Sequence, residues 1–308
     1  MNENFLNRWK IAAEIEEIPT ETYRPLISLI RNLSGKSNYT FGVILNEHRN
    51  QRSLPQNKPK DKDGCRLCNV VTNAEINPKS NLLSGIWFDN KTVSDFIVTP
   101  NKFPIIQGFS LAITKQEREI YTTKDLSNFI TDFTAIQDIC KTQGLEAFHN
   151  GNGFGASIPK HEHWHLITFM EGYKILGSSY GFDAAEKIKV KGNDGVSIMP
   201  SFPFAHLIFE KEGYNEKMLK FLQNIQKNLG SNYEHGAVPH IIAEGRKGYL
   251  IAISKKYHTN YDIGCAEVAG HFIANTKNEF FTMNYERCIK EIAKFVPTKK
   301  EVKLEKFI

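Results

Sequence analysis

Hydrophobic positions along the chain change their period several times, and each change predicts an element. The opening "FLNRWKIAAEIEEIPTETYRPLISLIRNLSG" spaces its apolar residues helically, with a Pro interruption and a stop at Gly35, which predicts one or two helices. "YTFGVILN" then has the composition of a strand. From Gln51 to Ser80 the chain is polar and rich in Pro, Lys and Asn, so it is expected to be a surface loop pinned at "CRLC". Strand-like runs return at "LSGIWFDN", "VSDFIVTP" and "GFSLAITK", with turn residues between them, and an antiparallel sheet is the economical reading.

"TTKDLSNFITDFTAIQDICKTQG" predicts a helix. It has a Thr cap, apolar residues at Leu126, Phe129, Ile130, Phe133, Ile136 and Ile139, and a closing Gly144. "LEAFHNG" and "HEHWHLITF" are two further strands around a glycine-rich loop. Beyond Met170 an irregular stretch leads to a strand at "FPFAHLIFE" and a helix at "NEKMLKFLQNIQKNLG". Strands near "PHIIAEG" and "GYLIAISKK" follow, then a last helix at "NYERCIKEIAKFV". Sheet, helix and sheet thus occur twice, and the second half has no strand of alternating histidines.

At 308 residues and 41% hydrophobic composition the chain can fill about two domain equivalents or one duplicated core. No apolar run approaches the roughly 18 residues of a membrane span, and "MNENFLNRWK" has no apolar leader core, so an unexported, cytoplasmic protein is expected. The cysteines (Cys65, Cys68, Cys140, Cys265 and Cys288) are odd in number and irregular in spacing, which argues for a reducing compartment. Only Cys65 and Cys68 form a pattern. A net charge of +5 is mild and suits an anionic small molecule as well as nucleic acid.

The chemistry concentrates in "GFGASIPKHEHWHLITF". On a strand, residues two apart share a face at roughly 6.5–7 Å, so His161, His163 and His165 line one surface while Glu162, Trp164 and Leu166 face the other. Such a row serves as a metal site, or as a nucleophile with neighbours that orient it. A bland polar face is the remaining reading, and three imidazoles are a costly way to build one. The loop before the row supplies Gly151, Gly153 and Gly155, whose amides can converge on an anion, and Ser157 adds a hydroxyl. Phosphate beside imidazole is the implied arrangement.

"NGNGFGASIPKHEHWH" resembles the active-site signature of the histidine-triad superfamily. Within it, the stretch is similar to the branch of galactose-1-phosphate uridylyltransferases, diadenosine tetraphosphate phosphorylases and GDP-hexose phosphorylases. "NEHRNQRSLPQ", followed by the Cys pair, resembles the uridylyltransferase element His-Arg-x-x-Arg-Pro with its Cys-x-x-Cys. "NKFPIIQGFSLAITK" is similar to the family's Asn-x-x-Pro strand pair, and "AEVAGHFIANTKNEFFTMNYERCIKEI" resembles the closing segment of phosphorylase-like members.

The resemblance implies an α+β fold: a histidine-triad-like antiparallel sheet with flanking helices in residues 1–175, followed by a degenerate second module of similar type in 176–308. It implies nucleotidyl transfer from a nucleoside diphosphate-sugar or dinucleoside polyphosphate to phosphate, a sugar phosphate or water, with His163 as nucleophile between His161 and His165. Asn150, Asn152, Gly155, Ala156 and Ser157 would hold phosphates, and Arg49 and Arg52 would offset charge. Lys255, Lys256 or His258 in "ISKKYH" would add basic groups near phosphate. Zinc is implied at Cys65, Cys68 and His161, and relatives that bury a sheet edge suggest a homodimer.

Two departures qualify this. His165 stands where transferases and phosphorylases carry Gln, as in the hydrolytic branch, so hydrolysis is the rival reaction. Phe109 stands where the family's fourth zinc ligand often lies, which leaves His149, His48 or Cys140 to complete the site. A silent nucleotide-binding protein is the other rival, and an intact His163 argues against it. A nucleic-acid end-processing hydrolase would need a basic appendage that the sequence lacks.

Overall fold

The structure is a computed structural model. It describes residues 3–15, 18, 30–35, 40–47, 65–76, 95–102, 104–118, 128–150, 158, 160–168, 186–191, 195–209, 237–242, 249–253, 264–294 and 296–301. Helix α1 (Glu3–Ile15) buries Phe5, Trp9, Ala12 and Ala13, which share one face by helical spacing, and the Trp9 indole donates to the Phe109 carbonyl at 3.2 Å. The predicted helix up to Gly35 does not persist. Residues Ile30–Ser34 form strand β1, antiparallel to β2 (Thr40–Leu45), with Ile30 opposite Ile44 and Ser34 opposite Thr40. Ile30 and Leu33 fit either period, and the backbone of the buried β2 takes them as its partner.

A second correction concerns the Cys pair, which opens a helix instead of pinning a loop. In α2 (Arg66–Ile76), Leu67, Val70 and Val71 follow an i, i+3, i+4 pattern and pack on Ile97 and Ile113.

Among the described residues, nine strands form one antiparallel sheet. They are β3 (Phe96–Pro100), β4 (Ser110–Thr114), β5 (Leu145–Phe148), β6 (His163–Thr168), β7 (Ile188–Lys189), β8 (Val196–Ile198), β9 (His206–Phe209), β10 (Ala237–Ile242) and β11 (Tyr249–Ile253). The spatial order is β3-β4-β6-β5-β10-β11-β9-β8-β7. Outward from the central β5/β10 pair, the order runs 5-6-4-3 on one side and 10-11-9-8 on the other, where the two-residue β7 adds an edge strand with no counterpart among the described residues. The two halves therefore repeat one topology. By that repeat β11, with the sequence YLIAI, is the counterpart of β6 and carries no histidine.

Helix α3 (Phe129–Gln143) covers one face of the sheet, with Phe129 and Phe133 at 6.5 and 6.2 Å from the fully buried Trp164 ring. Its N-cap is Asn128 instead of the expected Thr, and it ends at Gly144 in the left-handed region (φ 65°), as expected. The closing segment comprises α4 (Cys265–Val268), β12 (His271–Ala274), α5 (Lys277–Thr282) and α6 (Tyr285–Ile292). It returns to the start of the chain, because β12 pairs in parallel with β2 to complete a three-stranded sheet. A shared core joins Phe41, Val43 and Phe272 to Phe109, Phe148, Ile167 and Phe202.

This is the expected α+β architecture. The expected boundary at 175/176, the strand at "LSGIWFDN", the helix at "NEKMLKFLQNIQKNLG" and the basic group Lys255, Lys256 and His258 lie outside the described residues. Among those described, no helix is long and apolar enough to cross a membrane.

Candidate active site and metal centre

Strand β6 begins at His163, so the histidine row is only partly a strand. His161 precedes it at a bend and is fully buried. His161 Nε2 lies 2.7 Å from the carbonyl oxygen of Thr114, at the end of β4. A carbonyl only accepts, so Nε2 carries the hydrogen and Nδ1 keeps its lone pair. That lone pair faces two sulfurs, Cys65 Sγ and Cys68 Sγ, each at 3.4 Å. The three ligand atoms lie within 4.8 Å of one another.

The thiols belong to the start of α2, so a helix end, a strand end and the residues before β6 meet there. Burial raises the Cys68 thiol to about 12, followed by the hydrogen bond and charge of Cys65 and then of Glu117. Crowded acids of this kind hold their protons until a cation replaces them. Two thiolates and an imidazole whose second nitrogen is fixed by a backbone carbonyl fit a metal ion, and this donor set suits zinc. Neither His149 nor Cys140 joins the group. Cys140 is buried in α3, and His149 is engaged elsewhere. Phe109 lies in the main core and stacks on the His165 ring at 5.5 Å, whereas Cys65 packs in the separate cluster around α2. A ligand at position 109 would sit over His165 and away from the sulfurs. His48 lies outside the described residues.

His163 is 4% exposed, and its Nδ1 lies 2.8 Å from the carbonyl oxygen of His161. Nδ1–H therefore donates to the residue two positions back, and Nε2 bears the lone pair. Burial lowers the His163 pKa, opposed by that carbonyl bond and by the Glu162 charge. The imidazole is neutral near pH 7, the form a nucleophile needs.

His206 on β9 makes the same local bond, with Nδ1 at 2.7 Å from the Phe204 carbonyl. Its Nε2, however, accepts the Met199 amide at 2.8 Å. With both nitrogens occupied, His206 is a structural imidazole.

His165 meets His163 edge to face, with ring centroids 5.4 Å apart. Asn150 Oδ1 accepts the Cys265 backbone N–H at 2.8 Å, and Asn150 Nδ2 lies 3.2 Å from His165 Nε2. Since the backbone donor fixes which amide atom is oxygen, His165 Nε2 must be an acceptor. Gly264 leaves room for this arrangement, because a Cβ there would stand 2.9 Å from Asn150 Oδ1.

On the opposite face Glu162, fully buried, accepts from His149 Nε2 at 2.8 Å, and the His149 ring packs on Trp164 at 4.7 Å. Sequence reasoning missed this pair. Its signal was present, since strand alternation places Glu162 on the face of Trp164, where a carboxylate needs a partner. Arg49, Arg52, Asn152, Gly155, Ala156 and Ser157 lie outside the described residues.

The sequence matches no protein-family model and no curated protein. Solved structures do match. Yeast Ap4A phosphorylase Apa2 in complex with Ap4A superposes with a TM-score of 0.59 over 95% of each chain, at 12% identity. A second structure of the same enzyme gives 0.55 over 95% of each chain at 13% identity. Its complex with AMP gives 0.59 over 94% of each chain at 12% identity. The likeness is one of fold. It covers nearly the whole chain, which accords with the α+β architecture of antiparallel sheet and flanking helices expected from the motifs.

Proposed function

We propose that the chain is a nucleotidyltransferase of the phosphorylase type. It would split a dinucleoside polyphosphate or a nucleoside diphosphate-sugar through a nucleotidyl-histidine at His163. The observation that carries this reading is the hydrogen bond from His163 Nδ1–H to its own chain's carbonyl, which leaves a neutral imidazole with its lone pair on Nε2. The fold shared with an Ap4A phosphorylase, solved with Ap4A and with AMP, supports a nucleotide as substrate class.

In the first step the Nε2 lone pair attacks a phosphorus of the anhydride. A P–N bond forms, the P–O bond breaks, and the remaining phosphate chain departs with the electron pair. In the second step an oxygen of phosphate or a sugar phosphate attacks the same phosphorus. The P–N electrons return to Nε2 and the acceptor loses its proton. Asn152, Gly155, Ala156 and Ser157 are proposed to cradle the phosphates, with Arg49 and Arg52 offsetting charge. Asn150, tied to His165, joins them through that ring and through its second amide hydrogen. Zinc at Cys65, Cys68 and His161 would be structural, tying down the residue whose carbonyl orients His163.

The test is incubation with a panel of dinucleoside polyphosphates and nucleotide sugars, with and without phosphate, reading products by mass spectrometry. Acid quenching should destroy the adduct and alkali should preserve it. An adduct mapped to another residue, or His163→Ala with unchanged turnover, removes the mechanism.

A second reaction, hydrolysis, is favoured by one observation: an imidazole at position 165, beside His163, where an amide would serve transfer alone. The same panel run without any acceptor but water measures it.

A further inference from the structure

We propose that Trp9 is a positioning residue for His165: its indole N–H holds the backbone of Phe109, so that the Phe109 ring stays stacked on the third imidazole. The placement stands on hydrogen bonds and packing alone, whereas its effect on the choice of acceptor rests on the nucleotidyl-transfer reading.

Sheet register brings Phe109 to His165. Leu111 on β4 lies directly opposite His165 on β6, and Phe109, two residues earlier, shares its face and stands diagonal to the imidazole. At that diagonal the rings stack, with centroids 5.5 Å apart and planes 15° apart. Phe109 sits just before β4, where the ladder with β3 ends at Ser110 opposite Pro100, so other groups fix its backbone. Its carbonyl oxygen has two lone pairs, and two donors meet it: the Asn101 amide at 2.9 Å and the Trp9 Nε1–H at 3.2 Å. The Phe109 amide closes a turn on the Ile106 carbonyl at 3.2 Å. Within that turn Gly108 takes a φ of 85°, and a Cβ there would come 2.5 Å from Thr168 Cγ2 and 3.1 Å from Leu6 Cδ2. Thr168 also donates its hydroxyl to the Gln107 carbonyl at 2.9 Å. The turn at 106–109 is therefore gripped between α1 and the end of the strand that carries His165.

Helix α1 supplies two of these contacts from one face, Leu6 and Trp9 being three residues apart. Trp9 is fully buried on the face it shares with Phe5, Ala12 and Ala13, so packing aims the donor. With its backbone fixed, the Phe109 ring has few staggered positions, and the one it adopts lies flat against His165. Asn150 meets the same imidazole at its edge, 3.2 Å from Nε2, and is itself held by the Cys265 amide at 2.8 Å. The third histidine is thus held through Phe109 by the first helix and through Asn150 by the closing segment. Releasing the Phe109 carbonyl from Trp9 lets the turn shift and the stack loosen, and the imidazole gains freedom to leave Asn150 and pass on a proton.

The experiment replaces Trp9 in the full chain with benzothienylalanine, which keeps the shape of the side chain and puts sulfur where the N–H stood. Trp9→Phe is a second variant that also lacks the donor. Proton NMR of the His165 ring reads the stack directly, because an aromatic ring lying over it moves its carbon-bound protons upfield. His165→Gln assigns those signals by removing them, and Phe109→Leu gives their unstacked position. In both Trp9 variants the His165 protons should move downfield, toward the Phe109→Leu position. The ratio of hydrolysed to transferred product should rise about 2- to 10-fold, the span of one net hydrogen bond, and should not change when His165→Gln is already present. His165 protons that stay in place in the folded benzothienylalanine chain would overturn the proposal. So would a ratio that shifts equally with and without His165→Gln, since that change does not pass through the imidazole. A chain that forms no adduct would remove the transfer reading instead, and the His165 signals would then decide on Trp9 by themselves.

Discussion

The Asn150 side-chain nitrogen donates to Nε2 of His165 across 3.2 Å, while the Asn150 oxygen is held by the Cys265 amide at 2.8 Å. The closing segment of the chain thereby fixes an amide, and the amide fixes the tautomer of the third histidine. Asn150→Asp would replace the donor facing Nε2 with an acceptor, which only a ring protonated on Nε2 satisfies. Nitrogen-15 spectra of the His165 ring should show Nε2 unprotonated in the wild type and protonated in the variant. Identical ring shifts in the two proteins would mean that Asn150 does not set the tautomer.

Glu162 acts on two neighbours. It is the buried partner of His149, and its charge opposes the lowering of the His163 pKa by burial. Glu162→Ala should cost roughly 3–5 kcal/mol in urea unfolding, because it strands the buried His149, and Glu162→Gln should cost less because an amide oxygen still accepts. The charge predicts a second effect. Without it the His163 pKa falls further, so the acidic limb of activity in Glu162→Gln should move to lower pH. A limb that stays in place or moves up would show that Glu162 does not act on His163 through its charge.

Much of this site was legible because strand period leaves a strict mark. The alternation of His163, Trp164 and His165 predicted both faces correctly, with Trp164 under α3 and the two imidazoles together on the other side. His161 escaped that logic, since the chain bends before β6 to present its Nδ1 to the Cys pair. Leu67, Val70 and Val71 carried the period of α2, but polar surroundings hid it. Ile30 and Leu33 fit helix and strand equally, and only pairing with β2 decides between them. The Asn150 bond to Cys265 spans 115 residues of sequence and depends on the return of the closing segment, which no local pattern encodes.

His206 predicts acid sensitivity. Burial is the main cause holding its pKa at about 4, below the ordinary 6.5, with the Phe204 carbonyl opposing and Lys299 adding to the effect. The folded chain therefore refuses a proton that the unfolded chain accepts once the pH drops below 6.5. Stability is unaffected by this residue above that value and is lost progressively between pH 6.5 and about 4, by roughly 3 kcal/mol in all. Urea unfolding at pH 7, 5.5 and 4.5 should show the decline, and His206→Gln, whatever its cost at pH 7, should flatten it. An equal slope in the variant would assign acid sensitivity to other buried groups.

The last prediction concerns the choice of acceptor. A Gln amide at position 165 would offer a neutral donor beside the phosphoryl oxygens of a nucleotidyl-His163, and such a donor favours an intermediate that waits for its acceptor. An imidazole can also accept and pass on a proton, which eases attack by water. In this chain Nε2 of His165 already accepts from Asn150, and Phe109 stacks on the ring, so proton relay requires that the Asn150 bond give way. Wild-type protein should therefore show some hydrolysis beside transfer. His165→Gln should lower the ratio of hydrolysed to transferred product while retaining the adduct, and Asn150→Ala, which releases Nε2, should raise it. The ratio is measured at fixed phosphate concentration by mass spectrometry. If neither substitution moves it, acceptor choice lies in the residues that bind the acceptor, and the third histidine does not determine reaction type.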